Sequence, residues 1–451
     1  MKLKFLLVYL SIPFFFQNVC AQKKNKPNVI LIMGDDIGFE CIGINGSETY
    51  STPILDSLSL RGIRFTNTYS QPLCTPSRIK IMTGKPNYEN YEYFSYLGSD
   101  KRTFGNLFKE NGYRTSIVGK WQLNGLKYKL KDYEKMSRPN DFGFDEYSLW
   151  QLTEIRDQKK ERFVNPKIEQ NGKILKTDYN DYGPDIVSNY AIDFIKRNKN
   201  VPFFIYYPML LVHDPFSPTP DSKIWKDKSK RTTENVLFYG DMVSYMDKII
   251  GKIINELKKH SILENTLLIF IGDNGSHPRI VSFQNGKKIK GAKGNTIKYG
   301  NHVPMFVNWD SKIKNSFTTN SLIGFEDFYS TFEDILGIEK KESCGRSFLN
   351  LLNGDKYKER EVLTSYYDPR WSPNVDKFRA VYSQTKEFKL YKNGNFFNIL
   401  KDPLELKPHF ENLTKNELDI KKLLQRELDK IPDLEINSKT KWEKERIKYF
   451  Q

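Results

Sequence analysis

Four short apolar runs, each ending in a cluster of polar residues, constrain this chain more than anything else in its sequence. Residues 28–33 run into Gly34-Asp35-Asp36 and residues 115–118 into Gly119-Lys120. Residues 202–207 precede His213, and residues 266–271 run into Gly272-Asp273-Asn274-Gly275. An uninterrupted run of this length suits a strand buried on both faces, as in a parallel sheet. Between the runs, apolar residues recur three and four apart at 55–60, 103–110, 186–197 and, longest, 236–259. That spacing predicts helices, and strands alternating with helices predict a mostly parallel sheet covered on both faces. In such sheets the ligand site lies along the carboxyl edge of the strands, so the four polar clusters are expected to meet in one cleft.

Beyond about residue 340 the pattern changes to short segments rich in Tyr, Phe and Lys (378–382, 388–391, 396–399), with Asn393-Gly394 as a hairpin turn. These predict a small antiparallel sheet. With 451 residues, the chain is long enough for one large domain and a smaller companion. The predicted organisation is a domain over 27–340 and a small α+β subdomain over 341–451. Its charged, helix-prone end at 417–450 is expected at the surface.

Residues 1–21 read as an export signal: Lys2 and Lys4 precede an apolar run from Phe5 to Phe16, and Ala21 supplies the small residue at the cut. The run is too short to span a bilayer. The expected mature protein is periplasmic or secreted, without stable membrane insertion. Lipid attachment at Cys20 is the weaker alternative, because Gln17-Asn18-Val19 is a poor lipobox. Loss of Lys2 and Lys4 leaves 69 basic against 55 acidic residues, a net charge of +14. Such an excess fits a polyanionic partner or simply a Lys-rich solvated surface. With no nucleic-acid-binding module in the sequence, no nucleic acid is expected as a partner. Of the cysteines at 20, 41, 74 and 344, three remain after cleavage. An odd number in an oxidising compartment marks one thiol for a separate task, and Cys41 and Cys344 are left as a pair that the sequence neither requires nor forbids.

The most specific string is Cys74-Thr75-Pro76-Ser77-Arg78, followed by Ile79-Lys-Ile-Met-Thr-Gly-Lys85. It resembles the signature of the formylglycine-dependent sulfatases of the alkaline phosphatase superfamily, Cys-x-Pro-Ser-Arg leading into a helix. Other strings follow the family's order. Asp35-Asp36 and Asp273-Asn274 are similar to its two pairs of metal ligands, and Gly119-Lys120-Trp121-Gln122-Leu123 to its Gly-Lys-Trp-His-Leu. His213 follows the middle strand, and Gly291-Ala-Lys293-Gly-Asn-Thr resembles the start of its Lys-containing loop. Three positions depart from the pattern: Gln122 stands for a His, Lys298 for a Glu and His302 for an Arg. More faintly, Asn398-Ile-Leu-Lys-Asp-Pro403 resembles a C-terminal family string.

The resemblance implies an α/β, alkaline-phosphatase-like fold: a large mixed, mostly parallel sheet sandwiched by helices, with a smaller C-terminal antiparallel sheet. It implies that a formylglycine-generating or anaerobic maturase converts Cys74 to formylglycine (3-oxoalanine). One calcium ion is implied, held by Asp35, Asp36, Asp273, Asn274 and residue 74. Arg78 would hold the nucleophile's oxygen or the metal-bound carboxylates, Lys120 and Lys293 would bind the sulfate oxygens, and His213 would assist the leaving alcohol. The residues themselves agree with the metal. Adjacent carboxylates repel each other unless a cation lies between them, and an all-oxygen set suits a hard ion. Five histidines without paired spacing do not suit zinc. The expected substrate is a sulfated carbohydrate, a polyanion favoured by the Lys287-Lys288-Lys290-Lys293 cluster. Trp150, Tyr366, Tyr367 and Trp371 are sugar-stacking or packing aromatics. The alternatives are a phosphonate or phosphate-diester hydrolase on the same scaffold, or an inactive binder of sulfated glycans.

Overall fold

The computed structural model describes residues 26–154, 161–339, 342–409 and 411–434. The predicted export signal with Cys20, and the end of the charged tail, lie outside the described residues. Among the described residues no helix is long and apolar enough to cross a membrane. In chain order the strands are β1 (Asn28–Gly34), β2 (Ile63–Tyr69), β3 (Arg114–Lys120), β4 (Glu146–Trp150), β5 (Ile168–Gln170), β6 (Lys173–Ile174), β7 (Phe203–Pro208) and β8 (Thr266–Gly272). They continue with β9 (Val281–Gln284), β10 (Lys287–Lys290), β11 (His302–Asn308), β12 (Phe317–Gly324), β13 (Leu363–Tyr367), β14 (Ala380–Gln384), β15 (Phe388–Tyr391) and β16 (Phe396–Asn398).

Ten strands form one sheet in the order β12-β2-β11-β8-β1-β7-β3-β4-β5-β6. The four apolar runs become four adjacent parallel strands, β8-β1-β7-β3, so their carboxyl ends share one edge. β11 runs antiparallel between β8 and β2, and β5 antiparallel to β4, which makes the sheet mixed. Pro304 lies in β11 where the register against β2 shifts between Val303 and Met305. A residue without an N–H is tolerated inside a sheet at such an irregularity.

Alternation along β1 explains its continuous apolar run. Ile30 and Ile32 enter one core with helix α1 (Pro53–Arg61) and the helices Gly183–Asn198 and Phe238–Lys259. Val29, Leu31 and Met33 enter the opposite core with α2 (Cys74–Thr83) and the helices Phe104–Glu110 and Glu326–Leu336. Each side chain so buried contributes roughly 1.5–3 kcal/mol.

The small sheet is antiparallel in the order β13-β14-β15-β16. It packs on the helix Lys415–Leu428 through Leu424 and Leu428, and that helix starts at a capping box of Thr414 and Glu417. Tyrosines of the small sheet brace the loop 291–301 of the large one. Tyr367 donates to the carbonyl of Gly294 at 3.0 Å, and Tyr382 accepts from Asn301 Nδ2 at 2.6 Å.

Cys41 is buried, Cys344 is exposed, and both are free thiols. The disulfide left open by the cysteine count is therefore not formed. The Cys41 sulfur packs among the hydroxyls of Tyr239, Ser276 and Ser282 at 3.5, 3.6 and 3.8 Å, while Cys344 lies 3.9 Å from Lys85 Nζ.

Candidate active site

Cys74 opens α2, whose residues are buried throughout. The helix stops at Gly84, which takes a left-handed φ of 64° and donates its N–H to the Lys80 carbonyl. The loop before the helix is fixed by Ser77, whose hydroxyl accepts from Gln71 N at 3.0 Å and donates to Gln71 O at 2.9 Å. Lys80, buried within the helix, is neutralised by Glu326 at 2.9 Å. Cys74 itself is 3% exposed.

The strand ends bring the acidic pairs to this thiol. Pairing continues past the strands: Asp35 N donates to Leu211 O (2.9 Å), Val212 N to Asp35 O (2.7 Å) and Asp273 N to Gly34 O (3.0 Å). Asp36 takes a left-handed φ of 59°, a conformation Asp tolerates better than most residues, and donates its N–H to Asp273 Oδ1 at 2.9 Å. Ligand atoms of Asp35, Cys74 and Asp273 lie within 4.8 Å of one another, and so do those of Asp35, Asp36 and His213. Asn274 donates from Nδ2 to Asp36 Oδ1 at 2.9 Å, while its Oδ1 is buried without a hydrogen-bond partner. An orphaned carbonyl beside three buried carboxylates is the donor set a hard divalent cation takes, so these residues fit calcium.

Cations surround the acids. Lys120 Nζ lies 2.9 Å from each oxygen of Asp35, Arg162 Nη2 lies 2.7 Å from Asp35 Oδ2, and Lys293 Nζ lies 2.6 Å from Asp36 Oδ2. Burial pushes the Asp35 carboxyl up, but the charges of Lys120, His213, Arg162 and Lys293 outweigh it and hold the group well below the ordinary range. Burial alone would discharge Lys293, yet Asp36 and the other nearby acidic groups raise it above the usual lysine value and keep it cationic. His213 Nδ1 faces two acceptors, the Asp214 carbonyl at 2.6 Å and its carboxylate at 3.0 Å. It therefore carries the proton, and Nε2 turns toward Asp36 Oδ2 at 3.7 Å.

All nine residues singled out by the sequence thus gather at one sheet edge, where Arg78 also binds backbone. Its guanidinium donates to the carbonyls of Trp121 (2.6 Å) and Lys120 (2.7 Å). These two bonds tie the start of α2 to the end of β3, and the Arg78 Nε is buried without a hydrogen-bond partner.

A cavity of about 680 Å³ opens above Cys74, lined by Gln122, Gln151, Arg162, His213, Lys293 and Trp371 among others. Trp371 stacks on Phe94 at 4.8 Å, forming an apolar wall. Two of these residues were not found by sequence reasoning. Arg162 closes a charged run that begins at Arg156, and nothing local separates it from its neighbours. Its guanidinium lies over Trp150 at 4.3 Å. Gln151 has a buried Nε2 with no hydrogen-bond partner, a donor available to a ligand in this cavity. Its backbone carbonyl accepts from the backbone N–H of Gln122 at 3.2 Å, and both residues line the cavity.

His302, another departure, has a structural place. Its ring stacks between Phe39 (4.3 Å) and Tyr69 (5.2 Å) and reaches Thr66 O through Nε2 at 2.8 Å. Burial first, and then the charge of Lys298, hold it down at about 3. A histidine held below its ordinary 6.5 stabilises the fold above that pH, and the contribution is lost as pH falls toward 3, because the unfolded chain takes up a proton that the folded chain refuses. His302→Gln, which keeps a hydrogen-bonding side chain without titrating, is expected to lessen the stability lost between pH 7 and 4 by ~3 kcal/mol. Urea midpoints at the two pH values check this, and equal losses in both proteins would contradict it.

The family model described as Sulfatase matches residues 27–338, and that described as N-sulphoglucosamine sulphohydrolase, C-terminal, matches residues 297–433. Human steryl-sulfatase is 26% identical over 525 residues, covering 90% of this chain and 87% of its own. N-acetylgalactosamine-6-O-sulfatase of Bacteroides thetaiotaomicron is 26% identical over 415 residues, covering 76% and 80%. The solved structure of BT4656 in complex with its substrate D-glucosamine-2-N,6-O-disulfate superposes with a TM-score of 0.69 at 20% identity, covering 93% of this chain and 99% of that one. That likeness is one of fold.

Proposed function

This chain belongs to the sulfatase family, enzymes that hydrolyse sulfuric esters, and from that premise we propose that it removes sulfate from a sulfated carbohydrate using a formylglycine made from Cys74. The observation that carries the reading is the convergence of Asp35 and Asp273 on the Cys74 sulfur, with Asp36 grouped beside Asp35 and the unpartnered oxygen of Asn274 on the side chain that donates to Asp36. A calcium ion held by these side chains would supply a Lewis acid that lowers the pKa of a bound hydroxyl. The hydrated aldehyde at position 74 would supply one hydroxyl to attack sulfur and a second whose deprotonation releases the transferred group. Lys120, Lys293 and Arg162 bind the sulfuryl oxygens and offset the charge that builds on them. Asp35 and Asp36 hold those cations in place when no substrate is bound. His213, with Nδ1–H directed at Asp214, presents Nε2 to the departing alcohol oxygen. Arg78 acts at one remove, fixing the backbone that carries Lys120.

A sugar leaving group is supported by the BT4656 complex and by the N-acetylgalactosamine-6-O-sulfatase among the relatives, and by the Trp371–Phe94 wall, which offers a flat apolar face. We place the domain boundary near residue 340, with the later segment bracing the Lys293 loop. Export by residues 1–21 and conversion of Cys74 by a maturase complete the reading.

The test combines intact mass, showing loss of the thiol at residue 74, with rates on sulfated monosaccharides, aryl sulfate and aryl phosphonate esters. Faster phosphonate than sulfate hydrolysis would favour the phosphoester alternative. Glycan binding without sulfate release by calcium-loaded, converted protein would favour the inactive binder. Arg162→Leu is expected to lower kcat/KM on a sulfate ester by about 10²-fold, with partial recovery in Arg162→Lys. An unchanged kcat/KM would remove Arg162 from the sulfate site.

A further inference from the structure

β9 and β10 form a two-stranded hairpin beside the active-site cavity. It is anchored where Glu48 N donates to Phe283 O at 2.8 Å and Asn285 N to Gly46 O at 3.1 Å. Ser282 and Ile289 are buried, so strand alternation turns Val281 and Phe283 outward, with Lys290 and Lys288 opposite them in register. Val281 is 39% and Phe283 47% exposed. Among the described residues neither Lys288 nor Lys290 has an acidic partner at ion-pair distance, and Lys287 adds a third uncompensated charge at the turn. Crowding like charges opposes folding; a hairpin that keeps them beside exposed aliphatic and aromatic carbon presents a surface for something that is both anionic and apolar on one face.

The same face continues the catalytic cavity. Val281 and Lys290 line a second, open cavity of about 760 Å³ together with Val236, Glu234 and Arg279, and Pro278 borders both cavities. Arg279 neutralises Glu234 at 2.7 Å and stacks on Phe216 at 4.8 Å. The net charge of this lining therefore comes from Lys290.

We propose that the groove is a second sugar subsite, holding the unit next to the one whose sulfate lies at residue 74. Lys290, with Lys288 next along the same face of the hairpin, pairs with that unit's sulfate or carboxylate group, while Val236 and Val281, extended by Phe283 at the rim, cover the C–H face of its ring. A sugar ring carries hydroxyl and anionic groups on its edge and C–H bonds on its faces, which matches cationic and apolar side chains alternating along one strip. The inference rests on the sulfatase reading and narrows it: the substrate is an anionic oligosaccharide rather than a lone sulfated sugar.

The test uses calcium-loaded, formylglycine-containing protein, either wild type, K288E/K290E or V281S/F283S. Turnover of p-nitrophenyl sulfate, which fills only the first cavity, is followed with dextran sulfate oligosaccharides or poly-glutamate as inhibitors. All three proteins are expected to turn over the small ester alike. In K288E/K290E the inhibition constant of dextran sulfate rises at least about tenfold and loses most of its salt dependence. In V281S/F283S it rises about threefold while that of poly-glutamate stays put. Equal inhibition of wild type and K288E/K290E by dextran sulfate would overturn the subsite. So would parallel behaviour of the two polyanions in V281S/F283S, which would mark a general anion surface. Wild-type protein that releases sulfate from neither p-nitrophenyl sulfate nor sulfated monosaccharides would overturn the sulfatase reading instead, and calorimetric titration of the three proteins with dextran sulfate oligosaccharides would then decide the subsite by itself.

Discussion

Cys74→Ala is expected to lose sulfate-ester turnover by about 10⁴-fold or more while the fold survives. The side chain is small, and Ala keeps its β-carbon among the neighbours Leu73, Phe94 and Tyr367. Cys74→Ser separates two explanations of that loss. A serine hydroxyl can attack sulfur, but it lacks the second hydroxyl that expels the transferred group. One equivalent of alcohol per protein molecule should appear and then no more, and the protein mass should rise by one sulfuryl group. Sustained turnover by Cys74→Ser would sink the formylglycine scheme. Thermal midpoints close to wild type in both variants would show that the loss is chemical.

Calcium affinity is expected to fall as pH drops, with a proton released on binding. Burial raises the Asp273 carboxyl, and the charges of Asp35 and Asp36 push it further, so the net position is well above the ordinary range despite Lys120 and the Asp36 N–H. A carboxyl must give up its proton to hold a cation. Because the folded value is raised, proton and cation compete at pH values where an ordinary aspartate would already be free. Affinity should weaken by up to about tenfold per pH unit on the acid side. Calcium at about a thousand times its dissociation constant would stabilise the fold by about 4 kcal/mol, so chelation should lower the thermal midpoint by several degrees and stop turnover. Titration calorimetry in two buffers of different ionisation enthalpy measures the proton release. An affinity independent of pH, or a midpoint unmoved by chelator, would count against calcium at these carboxylates.

The strands that carry the site were legible because burial on both faces leaves a continuous apolar run in β8, β1 and β7, and a shorter one, Ile117-Val118, in β3. Their polar ends were legible because a parallel sheet gathers them at one edge. β11 was harder: Pro304 argues locally against a sheet interior, and the register shift that accommodates it is a property of the pairing with β2. Arg162 was hidden for a similar reason. Its partner Asp35 is 127 positions away, and a charge inside a charged run has no local mark. Arg78 was found, but its partners were not, since carbonyl acceptors leave no trace in side-chain identity. The missing Cys41–Cys344 bond was equally beyond a count of thiols, because pairing depends on distance and both residues have other neighbours.

With every residue of α2 enclosed, a small molecule can reach position 74 through the cavity, but another protein cannot thread the Cys74–Arg78 segment into its own active site. Any enzyme that remodels this side chain must meet it as nascent or unravelled polypeptide, before collapse of the sheet closes the window. Under the formylglycine reading, production of working protein would be a race between a modifying catalyst and the chain's own folding, and slower folding would yield a larger converted fraction.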